Sequence, residues 1–409
     1  MTAIHLAEDH WAAVLHDHWG IRAELSRLDG EYDLNYRALT PDGQGYILKA
    51  MRPGCVSDLV DMQIAALAHL QNTDPGLPVP RTVAASNGEL CRSLQDDTGE
   101  DRLVWVQTLL PGRCYAKSAP KSAELIREIG ATLAGTTRAL KDFVHPALER
   151  RFKWDLMTAD WITDDITCIA DDSRQQAIAE ICADFSSLKP QLDALPRQAI
   201  HNDANDYNLL VTTGPTARRL TGLIDFGDRC AAPRVCELAI AGAYVVLDTD
   251  KPHDALAALV AGYHATYPLT EEEVALIYPL MLTRHVVSAV NATTMKRERP
   301  DDMYVTVSEA QVWRFLDRFA SLPEAMVTMR LRLACGLPIT PSAQRVQHWL
   351  DSKRGTFAPV LGKNLDGAPS VPLSVAETTV PRDPTHLTEA EALSLSVDLG
   401  QGTIGIGQY

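Results

Sequence analysis

The feature that most constrains this chain is a pair of acidic motifs near its middle. Residues 201–208 read HNDANDYN, and residues 224–228 read IDFGD. Asp203 and Asn208 lie on one predicted loop and are close enough in sequence to converge. Asp225 lies within the apolar run LTGLIDF, where a solvated turn would not place a carboxylate. The two motifs therefore predict a hairpin that brings these three side chains together.

Side chains of these three types are the set that phosphoryl transfer requires. One carboxylate orients the attacking hydroxyl, while a second carboxylate and a neutral oxygen ligand hold Mg²⁺ on a triphosphate. We expect Asp203 to take the first role, and Asp225 and Asn208 to bind the metal. His201 is expected to brace the loop by hydrogen bonding. The alternative is a solvated turn rich in Asp and Asn, because HxDxxxxN alone occurs by chance, but the second motif makes that interpretation much weaker.

The pattern of apolar residues divides the chain into a sheet-rich part and a helical part. Alternating runs separated by turn residues predict strands up to about residue 110, and helical periodicity dominates from about residue 122. The predicted strands are 21–28, 32–39, 45–51, 82–85, 90–94 and 103–109, with helices at 6–18 and 57–70. Later helical patterns cover 122–140, 235–248, 252–265, 271–294 and 306–334.

This order of elements predicts an α+β protein with two lobes. Residues 1–110 form a small antiparallel-sheet lobe, and residues 111–339 form a larger, mainly helical lobe that carries both acidic motifs. Residues 340–409 are richer in Pro, Gly, Ser and Thr and lack sustained periodicity. We interpret them as a linker or partial C-terminal extension that is separable from the rest. The alternative is an arm packed on the helical lobe.

The composition excludes several classes of function. A net charge of −15 repels phosphate backbones and anionic lipid and favours cationic ligands, so neither nucleic acid nor a membrane is the expected partner. The longest apolar run, 238–247, is about half the length of a membrane-spanning helix. The eight cysteines are scattered without the spacing of a zinc site. We therefore expect a soluble protein in a reducing cytoplasm.

The two motifs resemble those of a known family, the aminoglycoside phosphotransferase-like or choline-kinase-like small-molecule kinases. Those enzymes have a protein-kinase-like fold and carry H-G-D-x-x-x-x-N, with Gly where this chain has Asn202. LDGEYDLNY at 28–36 and LLPG at 109–112 are similar to further family segments, and the resemblance covers about residues 20–335.

Within the superfamily, the chain is most similar to hydroxylysine kinase-like domains fused to class III aminotransferase-like phospho-lyases, which favour an N-D pair such as 205–206. In the fused relatives a run similar to RGTFAPVLG, here at 354–362, leads to a peptidase-like domain and then a phospho-lyase. The resemblance therefore implies covalently linked downstream domains.

Lys49 is the expected contact for the nucleotide phosphates. In the strand YILKAM, alternation places Ile47 and Lys49 on one face, and a lysine that points inward needs an anionic partner such as a triphosphate. The resemblance assigns Lys49 to the α and β phosphates. It also favours Gln63 as the position facing this lysine from the following helix, where an acidic residue is usual.

The resemblance implies two further contacts with the nucleotide. Gly30 and Glu31 belong to the hairpin that covers the phosphates. Gln107 and Leu109 belong to the hinge, where backbone N–H and C=O groups bind the base. Because backbone recognition does not encode the base in side-chain identity, ATP and GTP both remain open as phosphoryl donors.

The acceptor side is defined by charged and aromatic residues near the motifs. Asp206 and Asp228 can hold a substrate ammonium, although loop acids often only order the backbone. Arg284, a cation among apolar neighbours, is either a carboxylate clamp or part of a structural salt bridge. Trp154 is a ligand wall or a core residue, and Glu237 is expected to orient the catalytic loop.

Together these observations predict a Mg²⁺-dependent small-molecule kinase. It would transfer the γ-phosphoryl group of ATP or GTP to the hydroxyl of an amino-bearing alcohol or hydroxy amino acid, such as hydroxylysine or ethanolamine. One alternative is an antibiotic-modifying phosphotransferase of the aminoglycoside type. The other is a kinase-like binding or scaffolding module without turnover.

Overall fold

The fold is taken from a computed structural model. It describes residues 3–28, 30, 33–214, 218–247, 249–298, 309–319 and 323–339. The extension predicted at 340–409 and the hairpin residue Glu31 lie outside the described residues.

The N-terminal part forms a six-stranded antiparallel sheet in the order β1-β2-β3-β6-β4, with β5 pairing with β6. The first three strands form the predicted meander, and Gly43, at φ 85°, takes the left-handed conformation that the turn between β2 and β3 requires. The strands are β1 Glu24–Leu28, β2 Leu34–Leu39, β3 Gly45–Ala50, β4 Thr82–Val83, β5 Arg92–Gln95 and β6 Asp101–Thr108.

The two faces of this sheet bury different residues because side chains alternate along each strand. Helix α1, Ala3–Trp19, covers one face, where its buried Trp11 packs with Tyr36 and Leu48. The other face carries Lys49, which lies opposite Asn35 on β2 and Trp105 on β6. Helix α2, Ser57–Thr73, joins Trp105 in the larger core of the protein.

The rest of the described chain is mainly helical. Two glycines let α3 and α7 approach closely, since a Cβ at Gly130 would lie 2.1 Å from the Leu259 carbonyl and one at Gly262 would lie 2.0 Å from the Arg127 carbonyl. The helices are α3 Ala123–Ala139, α4 Ile162–Asp165, α5 Asp172–Asp193, α6 Arg234–Val245, α7 Pro252–Thr266, α8 Glu271–Glu298, α9 Glu309–Phe319 and α10 Glu324–Ala334.

Two small antiparallel sheets hold the acidic motifs within this helical part. Strand β8 pairs with β11, and β9 pairs with both β10 and β7. The first motif is therefore the loop between β8 and β9, and the second lies between β10 and β11. The strands are β7 Arg113–Cys114, β8 Arg197–Ile200, β9 Leu209–Val211, β10 Leu220–Leu223 and β11 Cys230–Pro233.

The predicted α+β bilobal class is confirmed. The helical pattern at 306–334 corresponds to two helices, and Pro323 stands at the start of the second because proline fits the N-terminal turn of a helix but not its interior. The boundary near residue 110 stays a prediction. It is supported by β7, which pairs with β9 from Arg113 onward.

One helix in the described part, α8, is long and apolar enough to cross a membrane by length and composition. However, 83% of its apolar window is buried inside the protein. That burial is the pattern of a core helix.

Candidate active site

Both acidic motifs bend through the left-handed region of the backbone at a residue other than glycine. Asn202 has φ 66° and Asp225 has φ 60°. Asn and Asp tolerate this region better than other residues that have a side chain. The conformation of Asn202 gives a physical reason for the Gly that the resembling kinases carry here, and shows how Asn can replace it.

Asp203 is held by three side chains. Asn205 Nδ2 donates to both carboxylate oxygens at 3.0 and 3.1 Å, and Asn208 Nδ2 donates to Oδ2 at 2.7 Å. Arg284 Nη2 donates to Oδ1 at 3.2 Å. Burial and then the charge of Asp228 raise the pKa of Asp203 well above its usual range, and the charge of Arg284 opposes this. The carboxylate is therefore fixed in orientation while its side chain remains 19% exposed.

Asn205 also organises the loop, a role that was missing from the predicted site. Its Oδ1 accepts hydrogen bonds from the backbone N–H of Tyr207 at 2.8 Å and of Asn208 at 3.0 Å. Asn commonly makes such bonds to backbone groups two residues ahead. The sequence offered a signal for this role, because Asn205 stands two residues before Tyr207 in a predicted loop.

His201 connects the two motifs as a neutral imidazole. Its Nε2 donates to the Ile224 carbonyl at 3.0 Å, and its Nδ1 accepts from the backbone N–H of Asp203 at 3.3 Å. Burial, and to a lesser extent repulsion from Arg229, lowers the pKa of His201 to about 3. These two hydrogen bonds join the loop of the first motif to the strand that leads into the second motif.

Glu237 supports the same loop from helix α6. Its Oε2 accepts the backbone N–H of Asn202 at 2.9 Å, and the side chain is completely buried. Burial raises the pKa of Glu237 to about 7, and the hydrogen bonds from the loop backbone partly oppose this shift. The carboxyl group thus contacts the backbone one residue before Asp203 and does not reach the cleft.

Lys49 meets the second motif across the cleft. Its Nζ lies 3.6 Å from Asp225 Oδ1, and the charge of Lys49 lowers the pKa of Asp225, while partial desolvation of the carboxylate opposes this. Gln63, the expected helical neighbour, donates to the Leu59 carbonyl at 3.2 Å. The lysine therefore has an acidic partner, which comes from the second acidic motif and not from helix α2.

A backbone hydrogen bond joins the two motifs at Asn208. The N–H of Ile224, the residue before Asp225, donates to the Asn208 carbonyl at 2.9 Å. The side-chain Nδ2 of Asn208 also donates to the Asp203 carbonyl at 2.9 Å, which turns the amide nitrogen toward Asp203 and leaves the amide oxygen for a cation. In the described ranges, no three His, Cys, Asp or Glu side chains form a metal cluster. Two protein ligands with one carboxylate suit Mg²⁺, which takes its other ligands from phosphate and water.

The hinge uses its backbone differently from the prediction at Leu109. The N–H of Leu109 donates to the Gly45 carbonyl at 3.0 Å, so it serves the sheet. Gln107 shares the cleft face with Ile47 in the strand register, and its side chain is buried. Leu110, the next residue, belongs to the segment LLPG at 109–112 that resembles the hinge of the family.

The covering hairpin is tightly packed at Gly30. A Cβ at this position would lie 2.8 Å from the Asn35 side chain and 3.0 Å from the Asp33 carbonyl. Any other residue would therefore have to displace the Asn35 side-chain amide and crowd the Asp33 carbonyl.

On the acceptor side, the structure separates the two predicted acids. Asp228 is 39% exposed and lies 3.4 Å from Arg150, and its charge reaches Asp203. Asp206 is buried, and its backbone carbonyl accepts from the N–H of Ala116. Burial and then the charge of Asp206 raise the pKa of Tyr115. Burial argues against a substrate contact for Asp206, whereas Asp228 is accessible.

Trp154 and Arg284 pack together beside Asp203. The guanidinium lies 4.5 Å from the Trp154 ring centre and donates to the Trp154 carbonyl at 3.0 Å. Arg284 is 1% exposed, and Trp154 is partly exposed. Of the two interpretations of Arg284, the observed contact is a salt bridge, and its partner is Asp203.

A sheet lobe and a helical lobe with a lysine and three oxygen-bearing side chains in the cleft between them define a kinase-like phosphotransferase. The chain belongs to the phosphotransferase enzyme family, which it matches over residues 24–274. It is a small-molecule kinase that acts on a hydroxyl group.

The chain is similar to curated kinases at low sequence identity. The chain is 26% identical to hydroxylysine kinase of Danio rerio over 325 residues, covering 76% of this chain and 91% of the relative. It is 31% identical to homoserine kinase of Gluconacetobacter diazotrophicus over 215 residues, covering 49% of this chain and 60% of the relative.

Solved structures share the fold. A microcompartment-associated aminopropanol kinase superimposes with a TM-score of 0.56 at 18% identity, covering 76% of this chain and 97% of that one. Amicoumacin kinase, solved with AMP-PNP, Ca²⁺ and Ami, gives 0.54 at 17% identity, covering 73% and 89%. At these identities the likeness concerns the fold alone.

Proposed function

We propose that the protein transfers the γ-phosphoryl group of ATP or GTP, with Mg²⁺, to the hydroxyl of an amino alcohol or hydroxy amino acid. The observation that carries the proposal is the convergence of Asp203, Asn208, Asp225 and Lys49 in one cleft. The names of the hydroxylysine and homoserine kinase relatives support a hydroxy amino compound as the acceptor.

The nucleotide would bind on the sheet side of the cleft. Lys49 would contact the α and β phosphates, and Gly30 and Glu31 would cover them. At the hinge, Gln107 and the backbone of residues 109–110 would meet the base edge, with Leu109 contributing its carbonyl. The Asn208 amide oxygen and Asp225 would hold Mg²⁺, which neutralises charge on the phosphates when it is bound.

Asp203 would orient the acceptor hydroxyl toward the γ-phosphorus. The hydroxyl oxygen forms a bond to phosphorus as the bond to the β,γ-bridging oxygen breaks, and the nucleoside diphosphate leaves. The hydroxyl proton passes to Asp203 late in this step. Because a loose transition state needs little prior deprotonation, the main task of Asp203 is orientation.

The acceptor amine would be recognised by acidic groups beside the transfer site. Asp228 is exposed in this region, and the net charge of −15 favours a cationic ligand. We expect replacement of the amine by hydrogen to lower kcat/KM by more than about tenfold, since a charge-assisted hydrogen bond contributes about 1.5–3 kcal/mol.

The test is a nucleoside diphosphate release assay over amino alcohols and hydroxy amino acids, each with ATP and GTP. The matched control for each acceptor is the neutral alcohol of the same length. Equal rates with both would contradict amine recognition. Turnover of aminoglycosides alone would favour an antibiotic phosphotransferase, and no turnover with any acceptor would favour a binding module.

Two further proposals concern the setting of the enzyme. A cytoplasmic location is proposed from the scattered cysteines. Fusion to peptidase-like and phospho-lyase domains is proposed from the run at 354–362, and it would place an enzyme that consumes the phosphorylated product on the same polypeptide. Mass determination of the native polypeptide would test the fusion.

A further inference from the structure

Arg284 occupies a central place behind the candidate catalytic carboxylate. It projects from the middle of the long core helix α8, and its guanidinium reaches three acceptors on three different segments. Those are Asp203 Oδ1 at 3.2 Å, the Trp154 carbonyl at 3.0 Å and the Tyr244 hydroxyl at 3.3 Å. The Trp154 ring packs against the guanidinium plane. A buried guanidinium held in this way has little freedom to move.

We propose that Arg284 is a positioning residue that fixes the orientation of the Asp203 carboxylate for phosphoryl transfer. This inference rests on the proposed role of Asp203. It assigns to Arg284 an effect on the rate of the chemical step, and no direct contact with nucleotide or acceptor.

The distribution of hydrogen bonds on Asp203 supports this assignment. Its Oδ2 is held by Asn208 and Asn205, and Asn205 also donates to Oδ1, but both asparagines belong to the same loop as Asp203. Arg284 supplies the contact on Oδ1 that comes from outside the loop. A carboxylate offers about four lone-pair positions, so donors on both oxygens determine which position is left for a substrate hydroxyl. Without Arg284, the carboxylate would be oriented only by the loop that carries it.

The burial of Arg284 argues against the carboxylate clamp. A clamp must present donors to a ligand that arrives from solvent, whereas Arg284 is 1% exposed and one of its two terminal nitrogens donates to Asp203. A substrate carboxylate would have to displace Asp203 or the Trp154 carbonyl from the guanidinium. Either exchange would disturb the group that receives the acceptor hydroxyl.

Arg234 offers a matched control in the same lobe. It pairs with Glu273 at 2.6 Å, with side chains 14% and 6% exposed, and packs 4.0 Å from the Tyr267 ring centre. It also donates to the Pro268 carbonyl at 2.8 Å. The two arginines therefore share a carboxylate, a backbone carbonyl and an aromatic ring as partners. They differ in that the carboxylate partner of Arg234 has no place in the proposed chemistry.

The experiment compares R284M, R284K and R234M with the wild-type enzyme. For each, kcat and the nucleotide KM are measured with a hydroxy amino acid and with its decarboxylated amino alcohol, and Tm is recorded. We expect R284M to lower kcat about 10²-fold with both acceptors, since a small misplacement of a catalytic group has effects of this size. The nucleotide KM should stay within about threefold of wild type.

The other two variants separate positioning from a general structural role. R284K should retain an intermediate kcat, because lysine keeps the charge but cannot bind several acceptors in a fixed fork. R234M should lower Tm while leaving kcat unchanged. If R284M does not fold, R284K decides the matter: lowered kcat at unchanged nucleotide KM supports the proposal, and wild-type kcat overturns it.

Three results would overturn the proposal. They are an unchanged kcat in R284M, an equal loss of kcat in R234M, and a loss confined to the acceptor with a carboxylate, which would indicate a clamp. An inactive wild-type enzyme would reject the proposed function together with the inference. An active wild-type enzyme with an unaffected R284M would reject the inference alone.

Discussion

The two sides of the candidate site are built differently. On the phosphate side, Lys49 from the sheet lobe meets Asp225 from the helical lobe through a single contact of 3.6 Å, and the aspartate side chain is 52% exposed. On the acceptor side, Asp203 is bound by side chains of Asn205, Asn208 and Arg284, all within the helical lobe. One side joins two lobes loosely, and the other is fixed inside one lobe.

The difference assigns distinct tasks to the two sides. The contact is long for an ion pair and its carboxylate is half exposed, so it is weaker than a short buried pair, and Lys49 and Asp225 can separate to bind phosphate and metal. A carboxylate held by several donors is oriented before the acceptor arrives, as catalysis by positioning requires. We therefore expect changes on the acceptor side to affect the chemical step, and changes on the phosphate side to affect nucleotide binding.

The strongest test of this comparison is Asp203→Asn. The amide cannot accept the hydroxyl proton, and we expect kcat to fall about 10³-fold, within the range for loss of a positioned general base. Binding of the Mg²⁺-nucleotide, measured by calorimetry, should remain within about threefold of wild type because Asp203 addresses the acceptor. Retention of more than about a tenth of the wild-type kcat would refute the assignment of Asp203.

Asp225→Ala tests the phosphate side. The metal would lose its carboxylate ligand, so we expect Kd for the Mg²⁺-nucleotide to rise about 10- to 100-fold, as for loss of one strong charged contact. The control is calorimetry without Mg²⁺, where the variant should differ much less from wild type. Unchanged binding of the Mg²⁺-nucleotide would place the metal elsewhere.

Much of the fold was predictable because its signals are local. Alternation and turn residues identified the β1–β3 meander, and the apolar period of 3.6 residues identified helices such as α3 and α7. The break in the 306–334 pattern was harder to place, because apolar spacing continues across it and only Pro323 marks the second helix. Strands β7 and β11 are short, and their positions depend on pairing with distant strands.

In the candidate site, too, contacts between residues close in sequence were predictable and contacts between distant residues were not. The loop contacts of Asp203 with Asn205 and Asn208 span two and five residues, so a motif can reveal them. The contact with Arg284 spans 81 residues and follows no local pattern. In addition, a loop has no periodicity that distinguishes an accessible Asp228 from a buried Asp206. Only the packing around each side chain separates them.

The smallest predicted effect concerns Glu237, which accepts a hydrogen bond from the backbone N–H of Asn202 next to Asp203. Its folded-state pKa is about 7 against the ordinary value of 4.5, so the folded protein holds this proton more tightly than the unfolded chain. The stabilisation is therefore complete at low pH and is lost as pH rises from about 5 to about 7, with a limiting slope of about 1.4 kcal/mol per pH unit. Above that range both states are ionised, and the contribution of Glu237 no longer changes.

Glu237→Gln should remove this dependence, because glutamine has no proton to lose and its amide oxygen can still accept the Asn202 N–H. We expect the Tm of the variant relative to wild type to increase between about pH 5 and about pH 7, and to level off above that range. Glu180→Gln, at an exposed position on α5, controls for the loss of one negative charge. Parallel Tm curves for wild type and Glu237→Gln would show that Glu237 is ionised throughout. The hydrogen bond from the Asn202 N–H would then be made to a carboxylate over the whole pH range, and the support of the acceptor side would not depend on pH.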